Sequence, residues 1–313
     1  MLLIRQHLFS KTARVLLSVL YGAGLSGWNV AMTAHRGSVT KAEHFHRLHD
    51  AGPTPLVLVN VWDAASARVV QEAGATAIAT SSSAVSWSLG FRDGDHVPWG
   101  LAMAALGRVV GATSLPVTAD IETGYGRTDD ELRATVHAVL DAGAVGINIE
   151  DSAQEPLTDI VEQSRRIALI RLVADERGIP LFINARTDTY LSGQFPDTAY
   201  DETLRRAESY IIAGANGIFV PGVVDLHVLH ELSGRIPAPL NALAGVGAPS
   251  PLELHDAGVR RVSIGGNTAK AAYAKVARVA TEILGDGNWA GLAGTRSHDE
   301  MDALFQQGPK YSL

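Results

Sequence analysis

Apolar runs separated by helical patterns constrain the fold of this chain more than any other feature. Eight such runs follow one another, at 56–60, 77–81, 117–121, 146–150, 181–186, 217–222, 239–243 and 261–266. Most gaps between them are about 20 to 40 residues long and carry an amphipathic helical pattern. Buried strands that alternate with helices pair in parallel, and eight of them indicate an α/β fold, a closed (β/α)8 barrel of TIM type.

One short motif recurs where the helical patterns meet the apolar runs. It reads EAGATAI at 72–78, DAGAVGI at 141–147, IAGANGI at 212–218 and DAGVRRVSI at 256–264. Its glycine predicts a left-handed helix stop before each strand. Thr128 and Glu131 predict a capping box at the start of the helix that Gly143 ends. An open Rossmann-like sheet is the alternative fold, but no G-x-G-x-x-G follows the first apolar run.

Length and composition fit one large globular domain. The 313 residues are 46% hydrophobic and 19% charged, and no linker divides them after the first 40. We predict a poorly ordered N-terminal extension at 1–40, for which a targeting peptide is the alternative, and a single barrel domain with a C-terminal helical tail at 41–313. The net charge of −7 excludes a basic surface for nucleic acid. No run is long enough to span a bilayer, and we expect a cytoplasmic protein without a membrane partner.

Polar and often acidic side chains follow the apolar runs, at the barrel end where such enzymes do their chemistry. In ADIETGYG, Asp120 and Glu122 are two residues apart, so on a strand their side chains would share a face, and Glu150 on the next strand would lie nearby. These carboxylates repel one another unless a divalent cation joins them. Oxygen ligands in a chain without cysteine suit Mg²⁺, with Mn²⁺ as an alternative.

Two further features at the strand ends suit an anionic ligand. Arg186 offers a planar fork of donors that fits a substrate carboxylate or a developing enolate, with a structural ion pair as the alternative. Thr80, Ser81 and Ser82 offer hydroxyls and backbone N–H groups in a tight loop. By contrast, the histidines of one early helix are predicted to face solvent without a metal role: His44, His46 and His49.

Four motifs together resemble the isocitrate lyase/phosphoenolpyruvate mutase superfamily. They are TSSSAVSWSLGFRDGD, ADIETGYG, GINIEDS and NARTD, in the family's order, and the resemblance extends over roughly residues 42–285. It implies an Mg²⁺-dependent barrel that acts on small 2-oxo or 2-hydroxy acids, or phosphonates, through a pyruvate enolate. Because family members often pack C-terminal helices across a subunit interface, the resemblance also implies a homo-oligomer, expected to be a tetramer.

The resemblance implies a role for each residue that matches a motif. Thr80, Ser81 and Ser82 match positions that grip the substrate carboxylate, and Asp93 matches an acid that faces the reacting centre. Asn241 fits a polar substrate-binding position on the seventh strand.

The remaining matches concern the metal and the reacting oxygens. Asp120 and Glu122 match the paired metal-site acids, and Glu150 matches a third that contacts the metal largely through water. Arg186 matches the arginine on the substrate's oxygens. The proton donor is expected to be Asp93 or a water.

The segment after Glu150 departs from the family pattern. Isocitrate and methylisocitrate lyases carry Lys-x-Cys-Gly-His there, and phosphonopyruvate-handling members carry Lys and Asn. This chain has EDSAQEPLTDIVEQS at 150–164, without Lys, Cys, His or Asn, and no Glu or His in FVPGVVD at 219–225. The sequence looks like the phosphoenolpyruvate mutase-like branch, and we expect a carbon–carbon lyase. A phosphorus–carbon mutase or hydrolase and an inactive barrel that only binds a small acid are the alternatives.

Overall fold

A computed structural model describes residues 35–50, 52–152 and 156–306 of the chain. The chain divides into two units, Met1–Thr40 and Lys41–Leu313, and the second contains the barrel. The predicted extension at 1–40 lies almost entirely outside the described residues, so its order and role stay predictions. Residues 41–47 are helical and precede the first strand.

Parallel strands form the wall of the barrel. They are β1 (Leu56–Leu58), β2 (Asn60–Val61), β3 (Ile78–Thr80), β4 (Val117–Asp120), β5 (Gly146–Glu150), β6 (Phe182–Arg186), β7 (Gly217–Val220), β8 (Leu240–Leu243) and β9 (Val259–Ser263). Their order is β1-β9-β8-β7-β6-β5-β4-β3-β2. Only Val59 separates β1 from β2, and the two segments pair with β9 and β3 respectively, so together they occupy one strand position. The predicted (β/α)8 barrel is confirmed.

Helices connect the successive strands and continue beyond the last one. They are α1 (Ala64–Glu72), α2 (Ser82–Ser88), α3 (Trp99–Ala112), α4 (Asp129–Ala142), α5 (Ile160–Glu176), α6 (Ala199–Ile212), α7 (Leu226–Arg235), α8 (Pro251–Asp256), α9 (Asn267–Asp286) and α10 (His298–Ala303). Within the described ranges, no helix has the length and apolar character needed to cross a membrane.

Local signals in the sequence set the helix ends. The predicted capping box is present at the start of α4, where Thr128 and Glu131 each accept the other's backbone N–H. Gly143 ends this helix in the left-handed conformation, at φ 89°. The glycines of the other three repeats also have positive φ: Gly74, Gly214 and Gly258. Because glycine has no Cβ to oppose this conformation, the repeated motif predicted these stops correctly.

A buried arginine occupies the barrel interior. Arg261 is 1% exposed, and its Nη2 donates to Asn148 Oδ1 at 3.0 Å, an oxygen that also accepts from Asn184. Its Nε and Nη1 have no hydrogen-bond partner among the described residues. Burial lowers the pKa of Arg261 to about 9. A buried charge that is only partly hydrogen-bonded reduces stability.

Replacing Arg261 by Met is therefore expected to raise the free energy of unfolding, by about 1 to 4 kcal/mol. Arg171 provides the matched control because it is half-buried but well satisfied, donating to the carbonyls of Leu181 and Gly214 and to the side chain of Asn216. Arg171→Met is expected to lower the free energy of unfolding by about 1 to 3 kcal/mol. Urea denaturation measures both variants. A less stable Arg261→Met protein would contradict this interpretation.

The prediction that the early histidines face solvent is wrong for His49. This residue is buried, and its ring stacks on Phe182 with the ring centroids 4.0 Å apart. Its Nδ1 donates to the carbonyl of Phe45 at 2.8 Å, and burial lowers its pKa to about 3. The neutral imidazole packs as an aromatic ring although its Nε2 has no hydrogen-bond partner among the described residues, so a polar residue type did not imply a polar position.

Candidate functional site

Asp120 lies at the centre of a group of charged side chains at the barrel mouth. It is the last residue of β4, and its Oδ2 accepts from the backbone N–H and the hydroxyl of Ser82, at 3.1 and 2.9 Å. Its own N–H donates to Thr80 Oγ1 at 2.8 Å. These bonds tie the ends of β3 and β4 together and orient one carboxylate oxygen of Asp120.

Glu122 reaches the same region by a route that differs from the one expected. Strand β4 ends at Asp120, and Glu122 has a φ of 51°, so the expectation that both acids share a strand face is wrong. The turn buries the Glu122 carboxylate, which accepts from the backbone N–H of Asp95 and from the Tyr125 hydroxyl. Burial, together with the charges of Asp95 and Asp120, raises the pKa of Glu122 to about 7.

Arg186 is held between two acids across neighbouring strands. It lies opposite Glu150 in the β5–β6 register, and Nη1 contacts Glu150 Oε2 at 2.6 Å. Nε and Nη2 donate to the two carboxylate oxygens of Asp188, both at 2.7 Å. The guanidinium also lies 5.8 Å from the ring centroid of Phe219. Three contacts therefore fix the plane of the guanidinium at the mouth.

The pKa values of Glu150 and Arg186 are both raised, but for different reasons. Burial opposes the charge on Arg186, but Glu150 and Asp188 outweigh it and raise the pKa of Arg186 above its usual value, so the cation persists. Burial raises the pKa of Glu150 to about 8, with Asp120 and Asp188 adding to the shift and Arg186 opposing it. Among the described residues, the acids at the mouth therefore outnumber the one arginine that contacts them, Arg186.

Asp93 faces this group from the loop between α2 and α3. Loss of solvent and the charge of Asp120 raise the pKa of Asp93, whereas Arg186 and a hydrogen bond from Ser82 oppose the shift. The structure therefore brings together the following predicted site residues: Ser82, Asp93, Asp120, Glu122, Glu150 and Arg186.

Three predicted substrate-binding residues use their side chains within the protein. Thr80 accepts from the backbone of Asp120, as described above. Ser81 is the N-cap of α2, where its hydroxyl accepts from the backbone N–H of Ala84. Asn241 is fully buried in β8 and hydrogen-bonds with Ser263 Oγ at 3.1 Å. Their substrate contacts stay predictions.

Two residues that hold the charged group were not predicted for the site. Asp188 is the bidentate partner of Arg186, and its i+2 spacing in the NARTD motif was a usable signal because alternate residues of an extended chain share a side. Tyr125 donates to Glu122 from a backbone with φ 53°. No sequence pattern indicates that contact.

The acids suit a divalent cation that is bound largely through water. In the described part of the chain, no three acidic or histidine side chains lie close enough together to hold a metal ion directly. However, the charge of Asp120 raises the pKa of Asp93, Glu122 and Glu150 alike, as expected where carboxylates crowd without a cation. Mg²⁺ usually keeps several waters and takes only one or two carboxylates from the protein. The residues therefore fit a hydrated Mg²⁺ around Asp120.

The metal-free protein is expected to lose stability as the pH rises from about 5 to about 8. The pKa values of Glu122 and Glu150 rise from 4.5 to about 7 and about 8 in the folded state. Within this window Glu122 and Glu150 bind more protons in the folded protein than in the unfolded chain. This outweighs the opposite contribution of His49 below about pH 6.5, so the free energy of unfolding falls with increasing pH. Saturating Mg²⁺ is expected to flatten this dependence because it compensates for the ionised carboxylates.

Urea denaturation at several pH values, in EDTA or in excess Mg²⁺, measures this slope. Sodium chloride at matched ionic strength controls for general screening. A free energy of unfolding that did not change between pH 6.5 and pH 8 in EDTA, where His49 contributes little, would show that these acids are not protonated in the folded protein.

Comparisons with known proteins place this chain in a family. The phosphoenolpyruvate phosphomutase family profile matches residues 45–284. An uncharacterised protein of Mycobacterium tuberculosis is 41% identical over 221 residues, 71% of this chain and 81% of that protein. A solved structure of a candidate lyase/mutase from Burkholderia cenocepacia has a TM-score of 0.80 and 32% identity, covering 87% and 97% of the two chains. The oxaloacetate decarboxylase of Bradyrhizobium diazoefficiens is 28% identical over 247 residues, 76% of this chain and 83% of that enzyme. The chain belongs to the phosphoenolpyruvate mutase family, within the isocitrate lyase/phosphoenolpyruvate mutase superfamily.

Proposed function

We propose that this protein is an Mg²⁺-dependent lyase that cleaves a carbon–carbon bond of a small 2-oxo or 2-hydroxy carboxylic acid through a pyruvate enolate. The observation that carries the proposal is the position of Arg186, held by Glu150 and Asp188 at the mouth beside Asp120. Cleavage next to a carbonyl leaves negative charge on the carbonyl oxygen. A fixed guanidinium stabilises that charge more in the transition state than in the neutral ketone.

The other acids of the site have separate roles in this proposal. Asp120, Glu122 and Glu150 would hold Mg²⁺, which supplies Lewis-acid polarisation of the substrate's oxygens when bound. Ser82 orients Asp120 through two hydrogen bonds. Asp93, whose pKa is raised, is our candidate donor of the proton that returns to the enolate carbon, with a water as the alternative.

Carbon–carbon cleavage is supported by the names of relatives and by residue types. Relatives of this chain are named oxaloacetate decarboxylase and 2-methylisocitrate lyase. The segment 150–164 has no Lys, Cys or His that could act as a further acid or base. Decarboxylation and retro-aldol cleavage need few groups beyond the enolate-stabilising charges, so these reactions fit the residues present.

Phosphorus–carbon chemistry is the second candidate because another relative is named phosphoenolpyruvate phosphomutase. In that reaction Asp93, close to Ser82 and Arg186, would position a water or assist phosphoryl transfer. The same segment, 150–164, lacks the Lys and Asn that the family resemblance leads one to expect for phosphonopyruvate. We therefore rank this function second.

Pyruvate release with and without Mg²⁺, together with phosphoenolpyruvate formation from phosphonopyruvate, tests both candidates. The panel contains oxaloacetate, a methylisocitrate-type acid, a dimethylmalate-type acid and phosphonopyruvate. Because Mg²⁺ alone accelerates oxaloacetate decarboxylation, each rate is compared with the Asp120→Ala protein at the same Mg²⁺ concentration. Metal-dependent pyruvate from a carbon acid would support the lyase. Formation of phosphoenolpyruvate, or of pyruvate and phosphate, from phosphonopyruvate alone would favour the second candidate. No product from any acid despite measured Mg²⁺ binding would favour a barrel that only binds an acid.

We also propose that the protein is a homo-oligomer, a tetramer, that assembles through α9 and the residues after it. In α9 only Ala269 is fully buried, whereas Tyr273, Val276 and Leu284 are 40%, 65% and 86% exposed. A helix with this much exposed apolar surface suits an interface. Sedimentation velocity should show a tetramer, and Val276→Asp with Leu284→Asp should produce smaller species. A monomeric wild-type protein would contradict the proposal.

A further inference from the structure

A buried network of ion pairs contacts the backbone of Asp188, the bidentate partner of Arg186. Asp151 follows Glu150 directly and is 0% exposed. Its Oδ1 accepts from the backbone N–H of Asp188 at 3.0 Å. Its Oδ2 accepts from Nη1 of Arg206 and from the hydroxyl of Tyr210, both at 2.8 Å. The carboxylate of Asp151 therefore links α6 to the backbone of the residue that holds Arg186.

Both α6 partners of Asp151 lie on one helix face. Glu202, Arg206 and Tyr210 follow one another at four-residue spacing, and Glu202 Oε1 accepts from Nε of Arg206 at 2.8 Å. Arg206 is buried between the two acids, while Arg205 contacts Glu202 from the more exposed side. Because burying such pairs has a large desolvation cost, their presence is weak evidence for a purely stabilising role.

Asp188 lies beyond the end of its strand, so its backbone needs a hydrogen-bond partner from outside the sheet. Strand β6 ends at Arg186, and the N–H of Thr187 still bonds to the carbonyl of Phe219 on β7. The N–H of Asp188 bonds to the side chain of Asp151 instead of to a neighbouring strand. The backbone of Asp188, and with it the carboxylate that binds Arg186 at two points, thus depends on where Asp151 is held.

Arg206 also ties Asp151 to the start of the following segment. Its Nη1 donates to the carbonyl of Thr158 at 2.8 Å, and the N–H of Thr158 donates to the carbonyl of Asp151 at 2.8 Å. One guanidinium therefore fixes Asp151 through both its side chain and its hydrogen-bonded neighbour.

We infer that Arg206 and Tyr210 are positioning residues for Arg186, acting through Asp151 and Asp188 without contacting the substrate. The inference rests on the proposed function, in which Arg186 stabilises the enolate. A misplaced charge stabilises a transition state poorly, so disturbing the network lowers turnover although every residue at the mouth is retained.

Tyr210→Phe is the sharpest test because it removes one donor to Asp151 without changing charge or shape. We expect kcat to fall about 10-fold with the Mg²⁺ dissociation constant unchanged. Tyr200→Phe, the same change on the same helix, is the control and should retain full activity.

Arg206→Met would leave Asp151 buried without its cation and is expected to fold poorly, so Arg206→Lys is the second variant. Lysine keeps the positive charge but lacks the planar guanidinium with its several donors, so kcat should fall about 100-fold.

Hydrogen exchange at the Asp188 amide provides a readout that needs no substrate. In the Tyr210→Phe protein this amide should exchange about 10-fold faster, while the amides of β5 and the whole Tyr200→Phe protein keep wild-type rates. If the wild type turned over no acid, the proposed function would fail, yet the exchange rates would still decide whether the network anchors Asp188. Unchanged exchange in Tyr210→Phe, or faster exchange with unchanged kcat, would overturn the inference.

Discussion

Asp120→Ala is expected to lower metal-dependent kcat/KM by about 1000-fold or more. Asp120 is the acid whose charge reaches Asp93, Glu122 and Glu150, so we propose it as the central oxygen donor for a cation at the mouth. Its removal should weaken Mg²⁺ binding by at least about 100-fold, measured by calorimetry. The metal-free fold should be retained, because relief of repulsion among the carboxylates offsets the loss of the two hydrogen bonds from Ser82.

Asp130→Ala is the matched control for this experiment. Asp130 is an exposed acid in the first turn of α4 and takes no part in the group at the mouth. Its replacement should leave both Mg²⁺ binding and kcat/KM within about twofold of wild type. Full activity in Asp120→Ala would reject the metal assignment, whereas loss of activity with unchanged Mg²⁺ affinity would mean that the ion binds elsewhere.

Arg186→Met is expected to reduce kcat/KM by about 1000-fold, because the cation that contacts Glu150 and Asp188 is lost together with the donors that we propose for the enolate oxygen. Arg186→Lys should recover only a small part of the activity. An ammonium group is a point charge and does not bind both oxygens of Asp188 while contacting Glu150. Steady-state kinetics on the accepted acid measures both variants.

Arg165→Met controls for the loss of a paired arginine as such. Arg165 also contacts two acids, Asp129 at 2.7 Å and Glu162 at 2.8 Å, but all three side chains are largely exposed. Surface pairs contribute little, so stability should change by less than about 1 kcal/mol and activity should not change. If Arg186→Met retained more than about a tenth of wild-type activity, transition-state stabilisation by this arginine would be excluded.

Local sequence signals predicted the fold and the order of the main site residues. The repeated helix-stop glycines and the Thr128–Glu131 capping box act within a few residues, and the structure contains them as expected. The eight apolar runs each became a strand position, and the polar residues at their ends came to one mouth because parallel strands point the same way. Asp120 and Arg186 could therefore be predicted for the site from chain order alone.

Contacts between distant residues were decided only by tertiary packing. The face shared by Asp120 and Glu122 was predicted wrongly because the strand ends before Glu122, and the burial of His49 depends on Phe182. Asp151 and Arg206 are 55 residues apart, and their pairing depends on how α6 packs beside α5 and β7. Hydrophobic periodicity indicates which face of a strand or helix is buried. It does not indicate which residue, distant in the sequence, packs against that face. For that reason the residues of the mouth were visible in the sequence, whereas the network that holds Arg186 in place was visible only in the folded barrel.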